Sequence, residues 1–122
     1  MVMGILSAAV ALQAAGFAAA KTQAAAEKKV LYVLISAPEC KWCRRFKAQT
    51  LSDAGVQLKL RQMAVVVEAE RGSGDYPDAL EAARVPMHYF LAPDERILVK
   101  MPGYWGIEDF MSILDEVERK RN

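Results

Sequence analysis

Cysteine and histidine are scarce in this chain of 122 residues: there are two of the first and one of the second. Two cysteines exclude a disulfide-rich scaffold. A closed zinc site needs about four ligands. His88 lies far from the cysteines in sequence, and there is no second C-x-x-C or Cys/His cluster, so no metal and no other cofactor is expected. An excess of charge is missing too. Sixteen basic and fifteen acidic side chains leave a formal charge of +1. With no global basic surplus to release counterions, nucleic-acid binding is not expected. Internal repeats are absent, and the alanine-rich start is the one low-complexity stretch.

Charge is also absent from residues 1–20, because every Lys, Arg, Asp and Glu lies at or after Lys21. An apolar run ending in Ala18-Ala19-Ala20 follows the small-residue rule of a signal-peptidase site, with Ala24-Ala25-Ala26 as a second candidate. The basic residues that usually open such a leader are missing. Three readings stand: an export signal that is cleaved, an uncleaved membrane anchor, and a soluble alanine-rich helix. The run is barely long enough for a span and rich in Ala rather than Leu, which weakens the anchor. Export is the leading expectation and implies a periplasmic protein, membrane-anchored only if the segment is retained. On this reading residues 1–20 are the signal or apolar segment, 21–29 a polar linker or frayed helix, and 30–120 the folded domain. At 53% hydrophobic and 25% charged, the chain has enough apolar residues for one core.

What is present is organised around Ser36-Ala37-Pro38-Glu39-Cys40-Lys41-Trp42-Cys43-Arg44-Arg45-Phe46. Val30 to Ile35, just before it, is continuously apolar, as a strand covered on both faces is. Lys41 to Ser52 reads as a helix, with Trp42, Cys43, Phe46 and Leu51 on the apolar side and Asp53-Ala54-Gly55 as its stop. Cys40 therefore belongs at a strand-to-helix junction, where unpaired N–H groups and the helix dipole favour thiolate over thiol. Cys43, one turn on, can reach back to it. A loop this short stabilises little as a structural staple, so a bond that opens and closes is the leading reading.

Downstream, Val56 to Gln62 is ambiguous between alternating strand and helical turn. Met63 to Glu68 reads as a strand and Arg71 to Asp75 as a loop. Pro77 suits the first turn of a short helix over Asp78 to Arg84, with Asp75 available to cap it. Met87 to Ala92 and Ile97 to Met101 read as strands joined by the turn Pro93-Asp94-Glu95, an antiparallel hairpin. Ile107, Phe110, Met111, Leu114 and Val117 follow helical spacing, with acids in the first turn and bases after the last.

This order of elements, with these residues, resembles the thioredoxin-like superfamily. It is most similar to small exported members whose motif helix reads Cys-x-x-Cys followed by basic residues and Phe. The resemblance covers Val30 to Glu118 and rests on Cys40-x-x-Cys43, on Val85-Pro86 opening the next-to-last strand, and on Pro102-Gly103-Tyr104 after the last. It implies a single α/β thioredoxin-like domain: a central mixed sheet with a C-terminal antiparallel hairpin, flanked by helices. It also implies that Pro86 is a cis-proline facing the disulfide, leaving the Val85 backbone to pair with an extended substrate. Trp42 and Gly103 would border that substrate, although Trp42 equally suits ordinary helix packing, as do Tyr104 and Trp105. Two departures matter. Thioredoxin's Trp-Cys-Gly-Pro-Cys is replaced by Glu39-Cys40-Lys41-Trp42-Cys43, so that Lys41 favours the thiolate and Glu39 opposes it. The buried acid that thioredoxin keeps before its motif is apolar Leu34.

The function expected is thiol–disulfide exchange on protein thiols and disulfides, with a redox partner protein resetting the Cys40–Cys43 pair. The rival is a binding or assembly module of the same fold whose disulfide is idle. His88 reads as a structural residue before it reads as a proton shuttle. Glu68 and Glu70 are candidates for a substitute proton carrier, though surface carboxylates are the plainer reading. The six methionines are scattered as core filler.

Overall fold

The structure, a computed structural model, describes residues 16–121. Residues 1–15 of the segment read as a leader lie outside the described residues. In chain order there are helix α1 (residues 16–27), strand β1 (Val30–Ser36) and helix α2 (Lys41–Phe46), which continues as a π-helical turn (Lys47–Leu51). Helix α3 (Ala54–Met63), strands β2 (Ala64–Glu70), β3 (Met87–Leu91) and β4 (Ile97–Pro102), and helix α4 (Ile107–Lys120) follow. The sheet order is β2-β1-β3-β4. β1 runs parallel to β2 and antiparallel to β3, and β3 and β4 form the expected hairpin.

All seven residues of β1 are buried. Side chains alternate across a strand, so Val30, Tyr32 and Leu34 enter one core with Phe46, Leu60, Phe110 and Leu114 from α2, α3 and α4. Leu31, Val33 and Ile35 enter a second, beneath α1 and the long connection between β2 and β3. The uninterrupted apolar run that marked this strand in the sequence is the signature of a strand dry on both sides.

Three local readings are resolved by packing and capping. Of the stretch read as a linker or frayed helix, residues 21–27 are helical. Ala20 and Ala24 are small enough to let α1 lie close against the sheet, beside Phe17, and Lys21 ties the helix to Glu95 in the hairpin turn at 2.6 Å. The first helix does stop before Asp53, at Leu51 with Ser52 as its C-cap, but Asp53 also starts the next: its Oδ2 accepts from the Val56 N–H at 3.0 Å as the N-cap of α3, which settles Val56 to Gln62 as helical. The helix expected over Asp78 to Arg84 does not form. Its last carbonyls accept from outside: Tyr89 Oη donates to that of Glu81, and Arg71 Nη1 donates to those of Ala82 and Ala83 at 3.2 Å each. Leu80 is buried as part of the second core, so packing overrides local helix propensity.

One polar chain crosses the first core. Tyr32 Oη and His88 Nδ1 are 2.7 Å apart, and His88 Nε2 lies 2.8 Å from the Gly103 carbonyl oxygen. A carbonyl can only accept, so Nε2 carries the proton and Nδ1 accepts from the tyrosine hydroxyl. Phe46 and Phe110 close around the imidazole. Burial lowers the His88 pKa from 6.5 to about 4, against the opposing pull of the Gly103 carbonyl.

Two predictions follow from this packing. Asp53→Ala removes the cap of α3 and should cost about 1 kcal/mol of stability in urea unfolding; an unchanged midpoint would mean that the cap contributes nothing. For His88, the unfolded chain binds the proton more tightly than the folded one. Its contribution is therefore fully present above pH 6.5 and is lost as the pH falls towards 4, by on the order of 3 kcal/mol when the loss is complete. His88→Gln should flatten that fall. Equal pH slopes in the two proteins would show that another group titrates there.

Candidate active site

β1 carries the chain to the end of the sheet, and Ala37-Pro38-Glu39 turns it outward. Cys40 then takes an extended conformation as the N-cap of α2. Its sulfur fills the role that a Ser or Asp oxygen usually has there: the Cys43 N–H donates to Cys40 Sγ at 3.1 Å, and the Arg44 N–H donates to the Cys40 carbonyl at 3.2 Å. The two cysteines are joined as a disulfide with their Cα atoms 5.2 Å apart. Cys40 is half-buried, whereas Cys43 is 3% exposed. One sulfur thus faces visitors and the other is shielded by its own helix. When the bond opens, negative charge on Cys40 meets a donated N–H and the positive end of the helix.

The opposite wall comes from the β3–β4 side. The Val85–Pro86 peptide is cis, and the Val85 carbonyl oxygen lies 3.7 Å from Cys40 Sγ. Pro86 accepts from the Gly103 N–H at 2.7 Å, which ties the turn after β4 to the start of β3. Gly103 has φ +95° with open space where a Cβ would stand, so backbone conformation and not crowding selects glycine there. Through its carbonyl, Gly103 is also the outer end of the Tyr32–His88 chain. Tyr104 follows, its hydroxyl donating to Gln49 Oε1 at 2.8 Å.

Trp42, Val85, Gly103 and Tyr104 line a shallow groove of about 400 Å³ beside the disulfide. The structure therefore brings Cys40, Cys43, Trp42, Val85, Pro86 and Gly103 together. Trp42 is 48% exposed, and its ring lies 5.9 Å from that of Tyr104. The Arg45 guanidinium lies 4.9 Å from its centroid and the Lys41 ammonium 5.6 Å, two cation–π contacts that the sequence reading did not find. Their i+3 and i−1 spacing from Trp42 was the available signal. Glu39 is exposed next to the motif.

Tyr104 and Trp105 divide the roles left open for them. Tyr104 lines the groove, while Trp105 packs against the first core, with Nε1 donating to the Pro102 carbonyl and its own carbonyl accepting from Thr50 Oγ1. His88 has partners on both ring nitrogens and holds structure. Leu34, where the resembled family keeps its acid, is fully buried between His88 and Glu68 in the sheet register. Glu68 and Glu70 are both exposed, and Glu68 pairs with Lys47 at 3.2 Å. Among the described residues no three His, Cys, Asp or Glu side chains are grouped to hold a metal ion.

Solved structures of similar fold include a thioredoxin from Thermus thermophilus, at 21% identity and a TM-score of 0.72, covering 88% of this chain and 87% of that one. Another is a DsbH oxidoreductase, at 14% identity and a TM-score of 0.70, with 84% and 82% covered. A third is the periplasmic thioredoxin SoxS from Paracoccus pantotrophus, at 18% identity and a TM-score of 0.62, with 77% and 100% covered. Among curated proteins no sequence matches. At these identities the structural likeness establishes the fold. The sequence profile described as thioredoxin-like matches residues 11–93, more than half of the chain, and with the disulfide at the mouth of the sheet it places this protein in the thioredoxin-like family.

Proposed function

We propose that the chain is a thiol–disulfide oxidoreductase of the periplasm, acting on protein thiols and disulfides through Cys40 and Cys43. The observation that carries this reading is the asymmetry of the pair, with a half-exposed sulfur at a helix N-cap and a buried partner one turn away. In the form described here, a substrate thiolate attacks Cys40 Sγ. A mixed disulfide forms, the Cys40–Cys43 bond breaks, and its electron pair leaves on Cys43. A second substrate thiolate then attacks the substrate sulfur of that mixed disulfide. The substrate departs oxidised and Cys40 departs as a thiolate stabilised by the Cys43 N–H. Two electrons pass from substrate to enzyme, the substrate thiols having released their protons to solvent and Cys43 taking one up from it, and the reverse path reduces a partner disulfide. Trp42, Val85, Pro86 and Gly103 border the incoming chain, with Val85 offering backbone to an extended segment. Lys41 and Glu39 modulate the outer sulfur with opposite sign.

The compartment rests on the charge-free residues 1–20 and on the description of one structural neighbour as periplasmic. Among the described residues no helix is long and apolar enough to cross a membrane. The packing of α1 bears on processing. Cleavage after Ala20 leaves part of the helix on the sheet, whereas cleavage after Ala26 strips it away and uncovers Leu31, Val33 and Ile35. Export that spares α1, through cleavage upstream of it or retention as an anchor, best suits the fold.

Exchange with a model disulfide should fall to background in Cys40→Ser. Cys43→Ser should instead accumulate a covalent adduct at Cys40, read by intact-mass spectrometry. A double serine variant that still bound its partner, beside a wild type with no turnover, would favour the assembly module.

A further inference from the structure

The groove is apolar at its floor and cationic at its rim. Lys41, Arg44 and Arg45 project from the exposed side of α2, and Arg84 immediately precedes Val85; all four are exposed. Among the described residues none of the four takes part in an ion pair. Eight other basic side chains, Lys21, Lys29, Lys47, Lys59, Arg96, Arg119, Lys120 and Arg121, sit against carboxylates, while Lys28, Arg61, Arg71 and Lys100 share the lack of an ion pair among the described residues. What distinguishes the cations near the motif is their place: Lys41 and Arg45 lie at the Trp42 ring that lines the groove, Arg44 is on the same helix and Arg84 is next to Val85 in the chain, with Glu39 as the acid next to the motif. Two of them, Arg45 and Lys41, lie against the Trp42 indole, which biases their charge toward the groove.

From this arrangement we infer that the groove selects an acidic segment of a partner protein, a cysteine flanked by Asp or Glu. The inference rests on the oxidoreductase reading and names its substrate class. An extended segment laid along the Val85 backbone presents successive side chains to opposite sides. The two residues that flank the reacting cysteine share one side and the next pair out share the other, so acidic residues on the side that faces Trp42 meet Arg45 and Lys41, and Arg84, next to Val85 in the chain, adds to the same field. Exposed charge pairs are individually weak. Four of one sign act together on encounter and on register, and they penalise a basic segment by the same means.

The test uses the full chain and two short peptides identical except for flanking Asp/Glu or Lys/Arg, each with one cysteine in a mixed disulfide with 2-mercaptoethanol. The single-turnover rate constant of the reduced protein is measured for both, and the acidic-to-basic ratio is taken within each variant so that intrinsic thiol reactivity divides out. Wild type should favour the acidic peptide by about tenfold at low salt. The preference should shrink to about twofold or less near 1 M salt, where the screening length is about 3 Å. Arg45→Glu combined with Arg84→Glu should reverse it. A ratio near one at low salt, or a ratio unchanged in the double variant, overturns the inference. Uncharged hydroxyethyl disulfide separates the two readings, since failure to reduce it counts against the oxidoreductase assignment alone. The preference is then decided by Trp fluorescence titration with serine-for-cysteine versions of the two peptides: tighter binding of the acidic one supports it and equal binding overturns it.

Discussion

The fold depends on one strand being dry on both sides. β1 contributes every second side chain to each of two cores and pairs with neighbours along both edges. Its position and direction are therefore over-determined by packing and by hydrogen bonding together. That fixes the point where it ends. In open α/β sheets, sites form beyond the carboxyl ends of strands, and here the chain leaves β1 through a proline turn and enters a helix within a few residues. The cysteine at the junction has its place set by the best-buried element in the molecule, while its sulfur stays at the rim.

The opposing wall is built with equal economy from the hairpin side. Gly103 bonds to Pro86 through its N–H and to His88 through its carbonyl, so a single residue locks the turn after β4 both to the start of β3 and to the core. The imidazole works as a strut. Its neutral form has one donor and one acceptor, which match a carbonyl and a hydroxyl, and the aromatic rings around it disfavour a second proton. The groove is thus bounded by a helix N-terminus on one side and a pinned backbone turn on the other. Neither wall depends on a long flexible loop for its shape.

Much of this was legible in the residues. Val30 to Ile35 announced a doubly covered strand, Cys40 and Cys43 at a strand-to-helix junction announced the chemistry, and Ile107 to Val117 followed helical spacing closely. What was missed has local and distant sources. Asp53 is a breaker as it reads and a cap as well, because a second helix begins just after the first ends. Asp78 to Arg84 has the composition of a helix, but Leu80 is drawn into a core built by residues far along the chain. Ala20 and Ala24 look like leader or linker until the face of β1 that they cover is known. The Trp42–Arg45 contact could have been read from helical spacing; the cross-strand place of His88 required a register that one sequence does not reveal.

The connection between β2 and β3 ends on carbonyls gripped by side chains from either end of it: Arg71, just past β2, takes those of Ala82 and Ala83, and Tyr89 of β3 takes that of Glu81. Val85 follows two residues after Ala83 and, with Tyr76 and Leu80, packs on the second core. The backbone offered to an incoming chain is thus moored to the same sheet that carries the cysteines, so the two faces of the reaction move as one body.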